Sequence, residues 1–199
     1  WSLVELFKPL IQGIKASIDA LKISNNTKNV PLEEQDFPIN YVGYSLLVLL
    51  IPVFLLYLDI LNDINISILL TLVMMVFGFL FSSVAAYMAG IVGSSNNPIS
   101  GVTIATILFS SFLLLLLGKD SIAGASAAIM IGAVVCCAAA IGGDNLQDLK
   151  TGHILGATPW KQQVMQIIGT LSSALVLGRV LDILHTAYTI GSPNLSAPQ

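Results

Sequence analysis

The chain has 199 residues, of which 55% are hydrophobic and only 10% charged, and its mean hydropathy is +0.87. Soluble domains carry about a quarter of their residues as charges, so this composition excludes an ordinary soluble fold. A net charge of −3 leaves no basic patch for nucleic acid, which is excluded as a partner.

The chain begins at Trp1 without an initiator methionine, a basic leader or a small-residue cleavage site, and is expected to be a piece of a longer protein. Residues 1–30 place Leu3, Leu6, Phe7, Leu10, Ile11, Ile14, Ile18 and Leu21 on one stripe, with Lys8, Lys15, Asp19 and Lys22 opposite. That pattern predicts an amphipathic helix, either lying flat at the membrane interface or packed on neighbouring spans. A polar linker with two prolines follows and occupies 31–40.

From there to residue 185 the chain is membrane-like. Five apolar stretches, about 41–61, 66–90, 99–117, 123–142 and 164–184, are each long enough to cross a hydrocarbon core of about 30 Å as a helix. A backbone in lipid must satisfy its own hydrogen bonds, so stretches of this kind are helices. The expected fold is all-α, a polytopic membrane helix bundle of about five transmembrane helices, with discontinuous helices open at two polar motifs. Residues 186–199 read as a polar tail. Pro52 predicts a kink in the first span, and Asp59 with Asp63 marks its exit into water.

Lysines cluster on one side of this topology. If each stretch crosses once, Lys8, Lys15, Lys22, Lys28, Lys150 and Lys161 share a side, opposite Lys119, with Arg179 inside the last span. The Lys-rich loops are therefore expected in the cytoplasm, and the protein in a cell membrane, plasma or inner.

The fourth span has almost no bulk. Gly124, Ala128, Gly132, Cys136 and Ala140 recur every four residues, a spacing that predicts a stripe winding around the helix and close contact with several neighbours. Cys136 and Cys137 are adjacent on this helix and read as small packing residues, not as a disulfide.

Two polar motifs interrupt the apolar background. The first runs from Gly93 to Gly101 and contains Asn97, Pro98 and Ser100. Pro98 lacks an amide hydrogen, so the helix breaks, and the helix that starts after it offers unpaired amides that Asn97, Ser100 or an anionic substrate group satisfies. Discontinuous helices at membrane depth mark substrate sites in secondary transporters. An ordinary tight loop is the alternative.

The second motif runs from Gly142 to Gln163. If it is helical from Asp144, then Asp144, Gln147, Asp148 and Thr151 share a face, with Leu146, Leu149 and Lys150 turned elsewhere. A carboxylate face continuing a buried span suggests a proton relay or solute pathway. A solvated loop with Lys150 paired to an aspartate is the alternative. Other polar positions are less telling: Arg179 and Asp182 are spaced for an intrahelical ion pair, and His153 has no His or Cys partner, so no metal site is read.

Asn97-Pro98-Ile99-Ser100-Gly101, the run from Gly143 through Asp144, Gln147, Asp148, Lys150 and Thr151 to Gly152, then Leu155-Gly156-Ala157-Thr158-Pro159 and Gln162-Gln163, resemble the oligopeptide transporter superfamily, particularly its prokaryotic and yellow-stripe-like branches. The resemblance extends over most of the chain. It implies proton-coupled uptake of short peptides or of metal held by small organic chelators, with no cofactor and no enzymatic activity. Its members are much longer, so the resemblance makes this chain an internal portion whose partners are lipid, protons, a peptide or small-molecule substrate and the remaining helices. It lends weight to Asn97, Pro98, Ser100, Gly101, Asp144, Gln147, Asp148, Lys150 and Thr151 as substrate-binding or proton-coupling residues. Two rival readings are an intramembrane enzyme, with Asp144 and Asp148 holding magnesium against a lipid headgroup, and a non-catalytic assembly subunit.

Overall fold

A computed structural model describes residues 31–32, 35–119 and 121–190; the amphipathic helix expected at 1–30 and most of the tail lie outside the described residues. Five helices follow one another: α1 (Ile39–Leu61), α2 (Ile64–Val92), α3 (Ile99–Leu116), α4 (Ile122–Ile154) and α5 (Pro159–Tyr188), with a short 3-10 turn at Ser94–Asn96. All five are long and apolar enough to cross a membrane, and among the described residues there is no strand. The chain is an integral membrane protein of all-α architecture.

α4 is the centre. It packs most extensively on α2 and then on α3, and also meets α1 and α5. Its buried positions include Gly124, Ala128, Gly132, Val135, Ala139 and Gly143. The four-residue stripe expected from sequence holds as far as Gly132 and then steps by three, which leaves Cys136 and Ala140 half-buried. Steps of four drift by about 40° each on a helix of 3.6 residues per turn. A single step of three offsets part of that drift, and the seam passes from Ile107 of α3 at Gly132 to Ser82 and Ala89 of α2 at Gly142 and Gly143. Cys136 and Cys137 are free thiols.

Small residues on α4 matter because of what lies against them. A methyl group at Gly132 would run into the Ile107 side chain of α3. One at Gly142 would stand 2.7 Å from Ser82 Oγ and 2.9 Å from the Ser82 carbonyl oxygen of α2, so the two backbones nearly touch there. Where lipid supplies no hydrophobic drive between helices, such close approach is a main source of packing energy.

Bonds between non-adjacent segments fix which helix ends lie together. At one end Gln35 and Phe37, just before α1, are tied to the first turn of α5: Trp160 N donates to the Gln35 carbonyl at 3.1 Å, and Phe37 N donates to Gln163 Oε1 at 3.3 Å. Ser94, after α2, is bonded to Gln147 near the end of α4 at the same end. At the other end Lys119, between α3 and α4, pairs with Asp63, between α1 and α2, at 3.4 Å. α1 to α4 thus each run once from one end of the bundle to the other, and α5 starts from the end where α4 finishes.

Asp63 also begins α2, accepting hydrogen bonds from Asn65 N and Ile66 N. The Ile66 amide first, and Lys119 with it, hold its carboxyl below the usual carboxylate range against a smaller desolvation. Among the described residues this is the one ion pair within 4.0 Å. Arg179 and Asp182, expected as a pair, are therefore not joined. Both are exposed, and an exposed pair three apart on a helix gains only about 0.2–0.5 kcal/mol, too little to fix two long side chains.

Two outcomes follow for this packing. Gly142→Val forces α4 off the α2 backbone and should cost about 1–3 kcal/mol of stability, whereas Gly78→Ala, with nothing within 4 Å of the new methyl, should cost nothing; thermal unfolding in detergent measures both. Because the folded-state pKa of Asp63 is depressed, its contribution is present above the unfolded carboxylate pKa and lost as pH falls through the folded value. Acid melting curves should therefore converge for the parent and Asp63→Ala at low pH and separate at neutral pH.

Candidate functional site

Pro98 ends one helix and begins another. α2 stops at Gly93, whose φ of 83° is a conformation that disfavours side chains, and the chain makes one 3-10 turn before Pro98 starts α3. α3 has no side-chain cap. Neither Asn97 nor Ser100 fills that role. The expected break at the first motif is present.

The second motif is helical through its acidic stretch. α4 continues unbroken through Gly142, Gly143 and Asp144 to Ile154, well past the apolar span that ends near 142, and the break falls at Leu155–Thr158. Gly156, at φ 74°, makes that turn. Asp144, Gln147, Asp148 and Thr151 therefore share a helical face, as their spacing predicts.

The two motifs meet. Ser94 Oγ donates to Gln147 Oε1 at 2.8 Å, tying the first break to the acidic face of α4. The Asn97 amide lies over Gly143, where an added methyl would stand 2.5 Å from Asn97 Nδ2 and 3.4 Å from Ala89 Cβ. Gly143 is the opening that admits this side chain. Both polar atoms of Asn97 are buried without a hydrogen-bond partner, as is Asn145 Oδ1 one residue beyond Asp144. A buried amide left unpaired costs about 1–3 kcal/mol per group, so this is a place kept polar against the interest of stability.

Relative helix lengths give the meeting point its shape. α3, with 18 residues, is about 27 Å long, and α4, with 33, is about 50 Å. α4 runs on from Gly143 to Ile154, roughly 16 Å beyond the level of Asn97. The uncapped start of α3 is thus recessed beside a projecting polar helix.

Between α4 and α5 a cleft of about 500 Å³ opens, lined by Asp148, Lys161, Gln162, Met165 and Gln166. Gln166 Nε2 donates to Asp148 Oδ2 at 2.8 Å. Gln162 packs directly against Gly152, and its Nε2 is buried without a partner. Of the other predicted residues, Thr151 donates its hydroxyl to the Gln147 carbonyl at 2.9 Å, one turn back on its own helix. Pro98, Ser100, Gly101 and Lys150 are exposed, and Lys150 pairs with neither aspartate. Asp144 and Asp148 are exposed as well, so the burial that a proton relay needs is not supplied by the described residues. Among the described residues no group of three His, Cys, Asp or Glu is placed to hold a metal ion.

Ser94, Asn145, Lys161 and Gln166 were not among the residues assigned to the site from sequence. Gln166 carried a usable signal, an amide two residues inside an apolar span, since polar groups at that depth are costly. Ser94 and Asn145 carried none, because only the fold brings the first break beside α4.

The description "OPT oligopeptide transporter protein" belongs to the family model that matches residues 3–199. A Haemophilus influenzae protein named as an oligopeptide transporter is 33% identical over 225 aligned residues, covering 100% of this chain and 36% of its own length. A Saccharomyces cerevisiae protein, also named as an oligopeptide transporter, is 30% identical over 51% of this chain and 14% of its own length. The iron-phytosiderophore transporter of Oryza sativa subsp. japonica is 27% identical over 56% of this chain and 17% of its own length. The chain thus spans about a third of the first of these relatives and less of the others. No solved structure matches it significantly.

The orphaned amide makes an opposed pair of stability outcomes. Asn97→Leu removes two buried unpaired polar atoms at nearly constant volume and should leave thermal stability unchanged or raise it by about 1 kcal/mol. Gly143→Val should lower it by about 1–3 kcal/mol, because its branched side chain needs more room than a shift of the Asn97 amide can give with Ala89 Cβ close by. Melting temperatures in detergent check both.

Proposed function

The chain belongs to the OPT oligopeptide transporter family, and from that membership we propose that it forms part of a proton-coupled secondary transporter for short peptides or metal chelates. One observation carries the reading at the level of residues: both polar motifs converge at one end of the bundle, joined by the Ser94–Gln147 bond and by Asn97 seated over Gly143. A solute route needs hydrophilic groups gathered where helices are interrupted, and this is where the chain gathers them.

The roles follow from chemistry. The uncapped start of α3 directs backbone amides with partial positive charge into the recess, suited to a substrate carboxylate. Asn97, with donors and an acceptor unspent, hydrogen-bonds the same ligand. Asp148, with Asp144 one turn before it, carries the coupling proton or orients a substrate ammonium or chelate. Gln147 serves the site by holding the first break against α4. Thr151 has spent its hydroxyl proton on its own helix and offers only acceptor capacity.

Since the chain spans 36% of the Haemophilus influenzae relative, helices from other parts of the protein complete the pocket and cover the exposed carboxylates. The Lys-rich end, with Lys150 and Lys161, is placed on the cytoplasmic side of a cell membrane, plasma or inner. No observation favours the magnesium-dependent lipid enzyme or the assembly subunit, and the family is one of transporters.

The test uses the complete reading frame in proteoliposomes under an imposed proton gradient, with labelled tetra-alanine and an iron(III) phytosiderophore complex as probes. Asp148→Asn should lower gradient-driven uptake about tenfold or more, equivalent to about 1.4 kcal/mol, and flatten its pH dependence. Uptake and pH profile identical to the parent would remove Asp148 from the mechanism. In the same assay Asn97→Leu should lose uptake while keeping its stability.

A further inference from the structure

Among the described residues of α5 only Pro159 is buried, and its packing on α4 is sparse. What attaches it is polar: the two bonds to the linker before α1, and the single bond from Gln166 to Asp148. That last bond joins α5 to the carboxylate on which the proposed proton coupling rests.

The identity of the partner is informative. Lys161 lines the same cleft, yet it forms no ion pair with Asp148; its ammonium lies 5.7 Å from the centre of the Trp160 ring. Asp148 is held by a neutral amide instead. A lysine would bind only the ionised carboxylate and oppose its protonation. An amide serves both forms, since it carries two donor hydrogens on Nε2 and an acceptor on Oε1.

We propose that Gln166 is a positioning residue for Asp148, keeping α5 joined to α4 through gain and loss of a proton at that carboxyl; this rests on the transport reading above. In the ionised state Gln166 Nε2 donates to Asp148 Oδ2. When Asp148 takes a proton from water at the open side of the cleft, the carboxyl becomes the donor, and a half-turn of the amide presents Oε1 to it. One hydrogen bond replaces another, and release returns the proton to water. The other charged or titratable groups at this corner are Lys161 on α5, Asp144, Lys150 and His153 on α4, and Asp36 in the linker tied to the first turn of α5; all are exposed. The first break, Ser94 to Asn97, contributes none.

The experiment is the pH profile of proton-driven uptake in the complete protein, with the same two probes. Gln166→Lys places an opposite charge beside Asp148 and should move the midpoint acid by about 1 unit or more, and Gln166→Glu, nearly isosteric, should move it alkaline. With Asp148→Asn also present, neither change should restore a pH dependence to the residual uptake. A merely structural role for Gln166 alters the amount of uptake and not its midpoint. If Gln166→Lys fails to reach the membrane, Gln166→Glu alone carries the test. A pH-dependent parent with the midpoint unmoved in the variants overturns the role of Gln166 and leaves the transport reading standing. Uptake by the parent that ignores pH overturns both.

Discussion

Lipid offers no hydrogen-bond partner, and this one constraint shapes the molecule. It makes every span a helix, and it disciplines the polar side chains within them. Thr71 donates to the Ser67 carbonyl, Thr106 to the Val102 carbonyl and Ser83 to the Phe79 carbonyl, each one turn back along its own helix. Against that background the groups with no partner stand out. Asn97, Asn145 and Gln162 lie together at the end of the bundle where the polar motifs meet, whereas Tyr57 and Ser110 lie within spans. Asn97 lies at the break between α2 and α3, Asn145 in the part of α4 beyond its apolar span, and Gln162 in the first turn of α5.

Glycine placement couples packing to this polar corner. α4 brings α2 within backbone contact at Gly142, and one residue later Gly143 makes room for Asn97. Nine positions further, Gly152 makes room for Gln162 from α5. The same absence of side chain that draws two helices together at the first position admits an amide at the other two. Substitution there alters site and scaffold together.

The helices are unequally committed to the fold. α2, α3 and α4 bury a continuous seam of small and aliphatic residues, whereas α5 presents nearly its whole surface outward, including Arg179 and Asp182. Charged groups within an apolar helix call for partners or water. An element attached mainly through hydrogen bonds moves at smaller cost than one locked in a close-packed seam.

Sequence by itself determined that this is a polytopic helical membrane protein, where its five spans lie, that Pro98 breaks a helix, and that the acidic residues share a face. These properties depend on length, apolar content and local backbone chemistry, all of which are written along the chain. Tertiary structure alone decided that α4 continues as helix for about three turns past its apolar span, that its small-residue seam steps by three after Gly132, that Gln147 is spent on Ser94, and that Gln166 reaches Asp148. Each of these depends on which surfaces face one another across the bundle. Periodicity says which residues share a face, and only the packing of other helices says what that face meets.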